Sequence, residues 1–258
     1  MLALKLFLVP SLIAVITLIG RRWGPLVAGC LSGFPVVAGP ILLLVYMEYG
    51  AVFAAGAASA ALNAVPGNVC FGLGYAWAAT RFPWWISLPV ALILYVLTQL
   101  GLSTFSLPLP LILLLTLSSI WFGSRAFPKN IEVSPPKPPP AAELPARMIA
   151  GGILVLLVTV YASSLGPKMS GMFAMFPVMA AVLACFSHPA SGAGFVIRLL
   201  QGMIANFYSL AFFCFTVAAA LPVMGATRGF LLATACAMLA QAGSLWFSLS
   251  RRGRATHK

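Results

Sequence analysis

The chain contains no aspartate and only three glutamates, Glu48, Glu132 and Glu143, among its 258 residues. Charged residues make up 7% of it, against about 25% in soluble domains. That scarcity excludes a globular enzyme with a large water-facing surface. It also removes the paired acids that general acid–base chemistry needs. No GxSxG, P-loop or HExxH pattern occurs, so catalysis has no candidate constellation. The five cysteines (Cys30, Cys70, Cys185, Cys214 and Cys236) form no CxxC and no Cys/His cluster. All five fall in apolar segments and read as small buried hydrophobes, so neither disulfides nor a metal or cofactor is expected.

What the chain does have is apolar sequence, 62% of all positions. The class is an all-α polytopic membrane protein with the lipid bilayer as its first partner. A formal charge of +12 would suit nucleic acid, but the basic residues sit at the ends of apolar runs, as topology signals do. No nucleic-acid partner is expected.

A helix crossing the hydrocarbon needs about 20 apolar residues. The runs 3–20, 25–46, 50–79, 84–100, 105–122, 147–165, 168–187, 190–221 and 226–249 predict nine spans. Runs three and eight are long and should be tilted or bent. Trp23, Trp84, Trp85, Trp121 and Trp246 fall near predicted ends, and Trp77 lies somewhat inside. Nine spans place the termini on opposite sides. With the C-terminus inside, twelve basic residues are cytoplasmic, Arg21, Arg81, Arg125 and Arg251 among them, and three (Lys5, Lys168 and Arg228) are not. The bias predicts N-out, C-in, in a bacterial inner membrane. Lys5 before an apolar run looks like the start of a signal peptide. No small-x-small site follows, however, and Arg21-Arg22 ends the run, so a retained helix is expected.

Sliding the chain on itself by 142 residues brings out an internal repeat. Gly24-Pro25 lands on Gly166-Pro167, Gly29 on Gly171, Phe34-Pro35-Val36 on Phe176-Pro177-Val178, and Gly50-Ala51 on Gly192-Ala193, all without a gap. The register pairs helices 1–4 with helices 6–9 and leaves helix 5 alone. A four-helix unit returns to its starting side, so one added helix inverts the second copy. The expected organisation is 4+1+4: a first repeat over 1–101, a connecting helix over 102–123, a Pro-rich linker over 124–146, an inverted second repeat over 147–250 and a basic tail over 251–258. The linker's prolines predict an extended tether without helix. Inverted repeats of this kind build many secondary transporters.

The segments SGMFAMFPVMAAVLACFSH, IRLLQGMIANFYSLAFFCF and AGCLSGFPVVAGPILL carry a Gly-x-x-x-x-Phe-Pro pattern followed by an aromatic-rich helix. In this the chain resembles the GlpM-like four-helix inner-membrane proteins of bacteria, once in each half. The resemblance implies a duplicated inner-membrane protein with a connection to envelope polysaccharide production. It implies no particular substrate.

Pro35 lies nine or ten residues into helix 2, roughly 15 Å deep in a core of about 30 Å, and Pro177 lies equally deep in helix 7. A proline there frees carbonyls that cannot face lipid. They must face protein or a polar cavity. The predicted midplane site therefore comprises Ser32, Gly33, Phe34 and Pro35 in helix 2 and Phe176 and Pro177 in helix 7. Asn63 and Asn68 join it around a Pro-Gly break in helix 3, with Arg198, Gln201, Asn206 and Tyr208 from helix 8. The bland alternative is a kink, with glycine allowing close packing. Arg198 could equally snorkel, and Gln201 and Asn206 could bridge helices. Gln99 and Gln241 occupy equivalent repeat positions and read as shared structure, and His188 in FSHPASG reads as a turn residue without a role. No carboxylate is placed in mid-membrane, which disfavours an acidic proton relay.

The expectation is a carrier or exporter of a small solute, anionic if Arg198 faces it. The rival is a non-transporting accessory protein of envelope biosynthesis, and a membrane enzyme comes third. Either of the first two is compatible with a homo-oligomer.

Overall fold

The computed structural model describes residues 2–33, 35, 38–129, 143–164 and 176–255. Seven helical segments follow one another: α1 (Leu2–Trp23), α2 (Pro25–Gly33), α3 (Ala38–Ala79), α4 (Trp84–Leu102), α5 (Leu109–Arg125), α6 (Glu143–Ser164) and α7 (Val178–Ala255). No strand occurs among the described residues. Ala38–Ala79, Trp84–Leu102 and Val178–Gly243 are long and apolar enough to cross a membrane, and Leu109–Arg125 is a shorter apolar helix. Large apolar side chains such as Leu97, Leu114, Leu231 and Leu239 point outward, as a lipid-facing surface requires.

The longest segments are not straight. α3 turns at Gly50 (φ 83°, ψ −179°), and α7 turns at Gly192 (φ 81°, ψ 167°) and Gly225 (φ 75°, ψ 174°). Gly50, Gly192 and Gly225 share a conformation that is open almost only to glycine. Successive helices thus join through a single residue instead of a loop. This explains why His188, expected in a turn, sits inside α7.

The arms 51–79 of α3 and 193–224 of α7 form the centre. A Cβ on Gly72 would lie 2.6 Å from Ile204 Cδ1, so the two arms approach closely. Their buried positions keep one register: Ala54, Ala58, Leu62, Val65, Val69 and Phe71 on one arm, and Val196, Leu200, Ile204, Phe207, Ala211 and Phe213 on the other. Each pair is separated by 142 residues. A second, smaller cluster joins α1, α2, α6 and α7 through Val9, Ile13, Ala28, Val155 and Leu183.

Contacts sort the helix termini to two ends. Trp77 Nε1 donates to the Ala126 carbonyl (2.9 Å), the Tyr75 hydroxyl lies 3.3 Å from His188 Nδ1, and Arg147 Nη1 donates to Ser187 Oγ (3.1 Å). The last turns of α1, α3 and α5, the first turn of α6 and the Gly192 bend therefore share one end. Tyr46, Phe213 and Phe230 stack at the other, with Tyr46–Phe230 and Phe213–Phe230 centroids both 6.5 Å apart.

Two expectations about proline are corrected. The Pro-Gly break predicted at residues 63–68 is absent: α3 runs through Pro66 with Gly50 as its one non-helical residue. Pro66 has no N–H for the Leu62 carbonyl, four residues back. Thr116 Oγ1, fully buried on α5, donates to that carbonyl instead (3.1 Å). The hydroxyl replaces the missing backbone donor, so the helix continues. Thr116→Val should destabilise the fold by about 1–2 kcal/mol by stranding the carbonyl. Pro66→Ala in the same chain restores a backbone donor and should recover most of the loss, as read by denaturation in detergent. If the double variant is as unstable as Thr116→Val alone, the carbonyl is not the cause.

The second correction concerns the linker. Helix α6 starts at Glu143, ahead of the expected boundary at 147, although Pro145 falls in its first turn. First-turn N–H groups have no intrahelical acceptor, so proline loses nothing there.

Candidate functional site

Helix α2 stops at Gly33, and the chain is helical again from Ala38. Pro35, in this gap, is buried, and its carbonyl accepts the Gly39 N–H (2.9 Å). Pro177 is also buried and precedes the first residue of α7, and its carbonyl accepts the Ala181 N–H (2.8 Å). The local chemistry is the same in both places. The residue before a proline avoids helical geometry, so a helix restarts just after the ring, with the proline carbonyl as its first acceptor. Phe34 lies outside the described residues, as do Gly166, Pro167 and Gly171, on which the expected repeat also draws. Gly33 closes α2. Ser32, half-buried beside it, directs its hydroxyl to the Gly29 carbonyl (2.9 Å).

Around the second interruption, Phe176 meets Tyr95 edge to face, at 5.8 Å between centroids and 79°. Tyr95 is buried on α4, and Gln99 Nε2 donates to its hydroxyl (3.5 Å). Gly67 makes room for both: a Cβ there would lie 3.0 Å from Gln99 Cδ and 3.2 Å from Tyr95 Cδ2. Asn68 Nδ2 donates within its own helix to Ala64 O (3.3 Å), and Asn63 is half-buried on the same helix.

A polar contact between helical arms lies within α7. Asn206, buried, donates to Gly202 O (2.7 Å) and accepts from Gln241 Nε2. Beside it Ser209 Oγ donates to Ala237 O (2.8 Å). Gln99 thus bonds within its own helix, whereas Gln241 bonds from one arm of α7 to another.

The remaining candidates lie elsewhere. Among the described residues Arg198 Nη1 reaches its neighbour Gln201 Oε1, at 3.5 Å, and both are half-buried. Tyr208 faces an open groove with Leu117, Ser118, Trp121 and Phe122, where the Arg125 guanidinium lies 3.7 Å from the Trp121 ring centroid.

Sequence reading missed the most polar buried constellation. Arg147, 5% exposed, donates to Glu143 Oε1 through Nε (3.0 Å) and Nη2. Its Nη1 reaches Ser187 Oγ (3.1 Å) and Thr17 Oγ1 (3.5 Å). Arg21 Nη2 lies 3.8 Å from Glu143 Oε2. A partly open cavity of about 30 Å³ lies among Thr17, Arg21, Glu143, Arg147, Ser187 and Ser191. The available signal was the Glu–x–x–x–Arg spacing just before an apolar run, which suits one helix face. Reading Glu143 as linker concealed it. None of the eleven described midplane candidates lines this cavity. No group of three or more His, Cys, Asp or Glu suited to a metal occurs among the described residues.

The fold and these sites define an all-α, membrane-embedded protein with interrupted helices. No family model, curated protein or solved structure matches the chain.

Proposed function

We propose that the chain is a secondary-type carrier or exporter of a small solute, built as a 4+1+4 inverted repeat of nine spans. One observation carries the proposal: the same proline interruption, with the same Pro carbonyl to N–H bond four residues on, occurs at Pro35 and at Pro177. The shared conformation of Gly50 and Gly192 and the shared burial register of the central arms support the repeat. The arms 178–191, 193–224 and 226–255 of α7, together with the bend at Gly50, accommodate nine crossings. Gly192 lies at the end where Arg21 and Arg147 gather, and Gly50 at the end of Tyr46, which fits opposed orientations.

In this reading N-out, C-in places the basic end in the cytoplasm of a bacterial cell, and Arg198 favours an anionic solute. Interrupted helices in opposed halves present backbone carbonyls to one shared site, and rocking of the halves alternates access to it.

A specific observation favours a second reading. Phe176 is seated on buried Tyr95 and Gly67 is filled by Gln99, a packed arrangement that suits a non-transporting accessory protein of envelope biosynthesis. A thermal-shift screen of the purified protein against metabolite classes, followed by uptake into proteoliposomes, separates the two. The carrier reading expects one ligand class to be transported, and flux to fall to background in Pro35→Ala/Pro177→Ala while that variant still inserts. Wild-type flux in the double variant removes the site assignment. Absence of any ligand or flux favours the accessory reading.

A further inference from the structure

The buried cluster at the basic end has more positive charge than it neutralises internally. Two guanidiniums, Arg21 and Arg147, face one carboxylate, Glu143, whose side chain is 9% exposed. Glu143 Oε1 is engaged by Arg147. The Arg21 side chain is 31% exposed, but its Nη2 and Glu143 Oε2 are buried, and neither has a hydrogen-bond partner among the described residues. Buried polar atoms of this kind are met by water or an ion.

The cavity beside them provides the place. About 30 Å³ holds one or two waters or a single halide-sized ion. Its polar lining is rich in donors: the hydroxyls of Thr17, Ser187 and Ser191, and the free edge of Arg21. Two guanidiniums exclude a cation. The Glu143 oxygen is the one unfavourable neighbour for an anion, and the Arg21 contact at 3.8 Å offsets it.

We infer that this cavity binds a small monovalent anion of halide size, held by Arg21 and the Ser187 and Ser191 hydroxyls. The ion neutralises the cluster that ties α1 and α6 to α7. The inference does not depend on the carrier reading.

The test uses the full-length protein in detergent, with chloride, bromide or gluconate at constant ionic strength. Chloride and bromide should raise Tm over gluconate by about 3 °C when present at roughly ten times the dissociation constant. The rise should disappear in Arg21→Gln and in Ser191→Ala. It should persist in Arg228→Gln, which removes an exposed charge distant from the cluster. Should Arg21→Gln fail to fold, Ser191→Ala and line broadening of the ³⁵Cl resonance by wild-type protein carry the test. Identical Tm in all three anions without chloride broadening means a water-filled cavity and overturns the inference. So does a chloride shift that survives in the cavity variants, since the ion then binds elsewhere.

Discussion

Gly29→Val is expected to prevent stable packing of α2 against α7. A Cβ at Gly29 would collide with the Leu199 carbonyl oxygen and lie 2.8 Å from the Met203 nitrogen. Across the contact, a Cβ at Gly202 would lie 2.7 Å from the Leu26 carbonyl oxygen. Both obstacles are backbone, so no side-chain rotation relieves them. The helices would have to separate, which opens the contact over their whole length. Helix association in lipid rests on close van der Waals contact, since lipid tails are as apolar as leucine and supply no hydrophobic drive. The loss should be roughly 3 kcal/mol or more, read as a fall in Tm and in recovery of monodisperse protein. Gly56→Val is the control, because a Cβ there meets nothing within 4 Å. Near-wild-type stability of Gly29→Val would mean that the two helices are not in backbone contact.

Much of the fold is legible because lipid imposes one rule: backbone groups must be satisfied within a helix. Apolar runs therefore mark helices such as α4 and α5, and Gly-Pro-rich stretches mark the interruption between Gly33 and Ala38. What fails is the reading of proline by itself. Pro66 leaves α3 intact because Thr116 serves its orphan carbonyl from 54 residues away, a partnership no local window contains. Pro145 leaves α6 intact because the first turn needs no N–H. Turn signals fail for a related reason. FSHPASG looks like a loop, yet the change of direction resides in Gly192 alone, and His188 stays helical against Tyr75.

The site is legible in a narrower sense. The sequence match singles out Pro35 and Pro177, whose carbonyls accept the same N–H four residues on, and Gln99 and Gln241, whose bonds differ: Gln99 reaches Tyr95 in its own helix and Gln241 reaches Asn206 on another arm. The Arg147 cluster was illegible because its partners arrive from three segments, Thr17 on α1, Glu143 on α6 and Ser187 on α7. Only the Glu143 contact is local. An i,i+4 ion pair on a helix surface has small consequence; burial of both partners makes this one larger.

That burial makes Glu143 the second residue whose change should matter most. Glu143→Gln keeps the shape and removes the charge, leaving Arg147 and Arg21 around the cavity without a carboxylate. Removing one partner of a buried pair leaves an uncompensated charge, so the expected loss is about 3–5 kcal/mol. Adding Arg147→Met should recover at least half of it, because a buried ion pair replaced by apolar groups of similar volume is often neutral. Met also keeps the apolar stem that packs beside Phe186, whose ring centroid lies 5.8 Å from the Arg147 guanidinium carbon. Denaturation of the two variants in detergent provides the comparison. A double variant less stable than Glu143→Gln alone would show that Arg147 acts chiefly through Ser187 and Thr17, as a hydrogen-bond bridge between α1 and α7. A single variant within about 1 kcal/mol of wild type would place Arg147 in contact with solvent and remove the premise of burial.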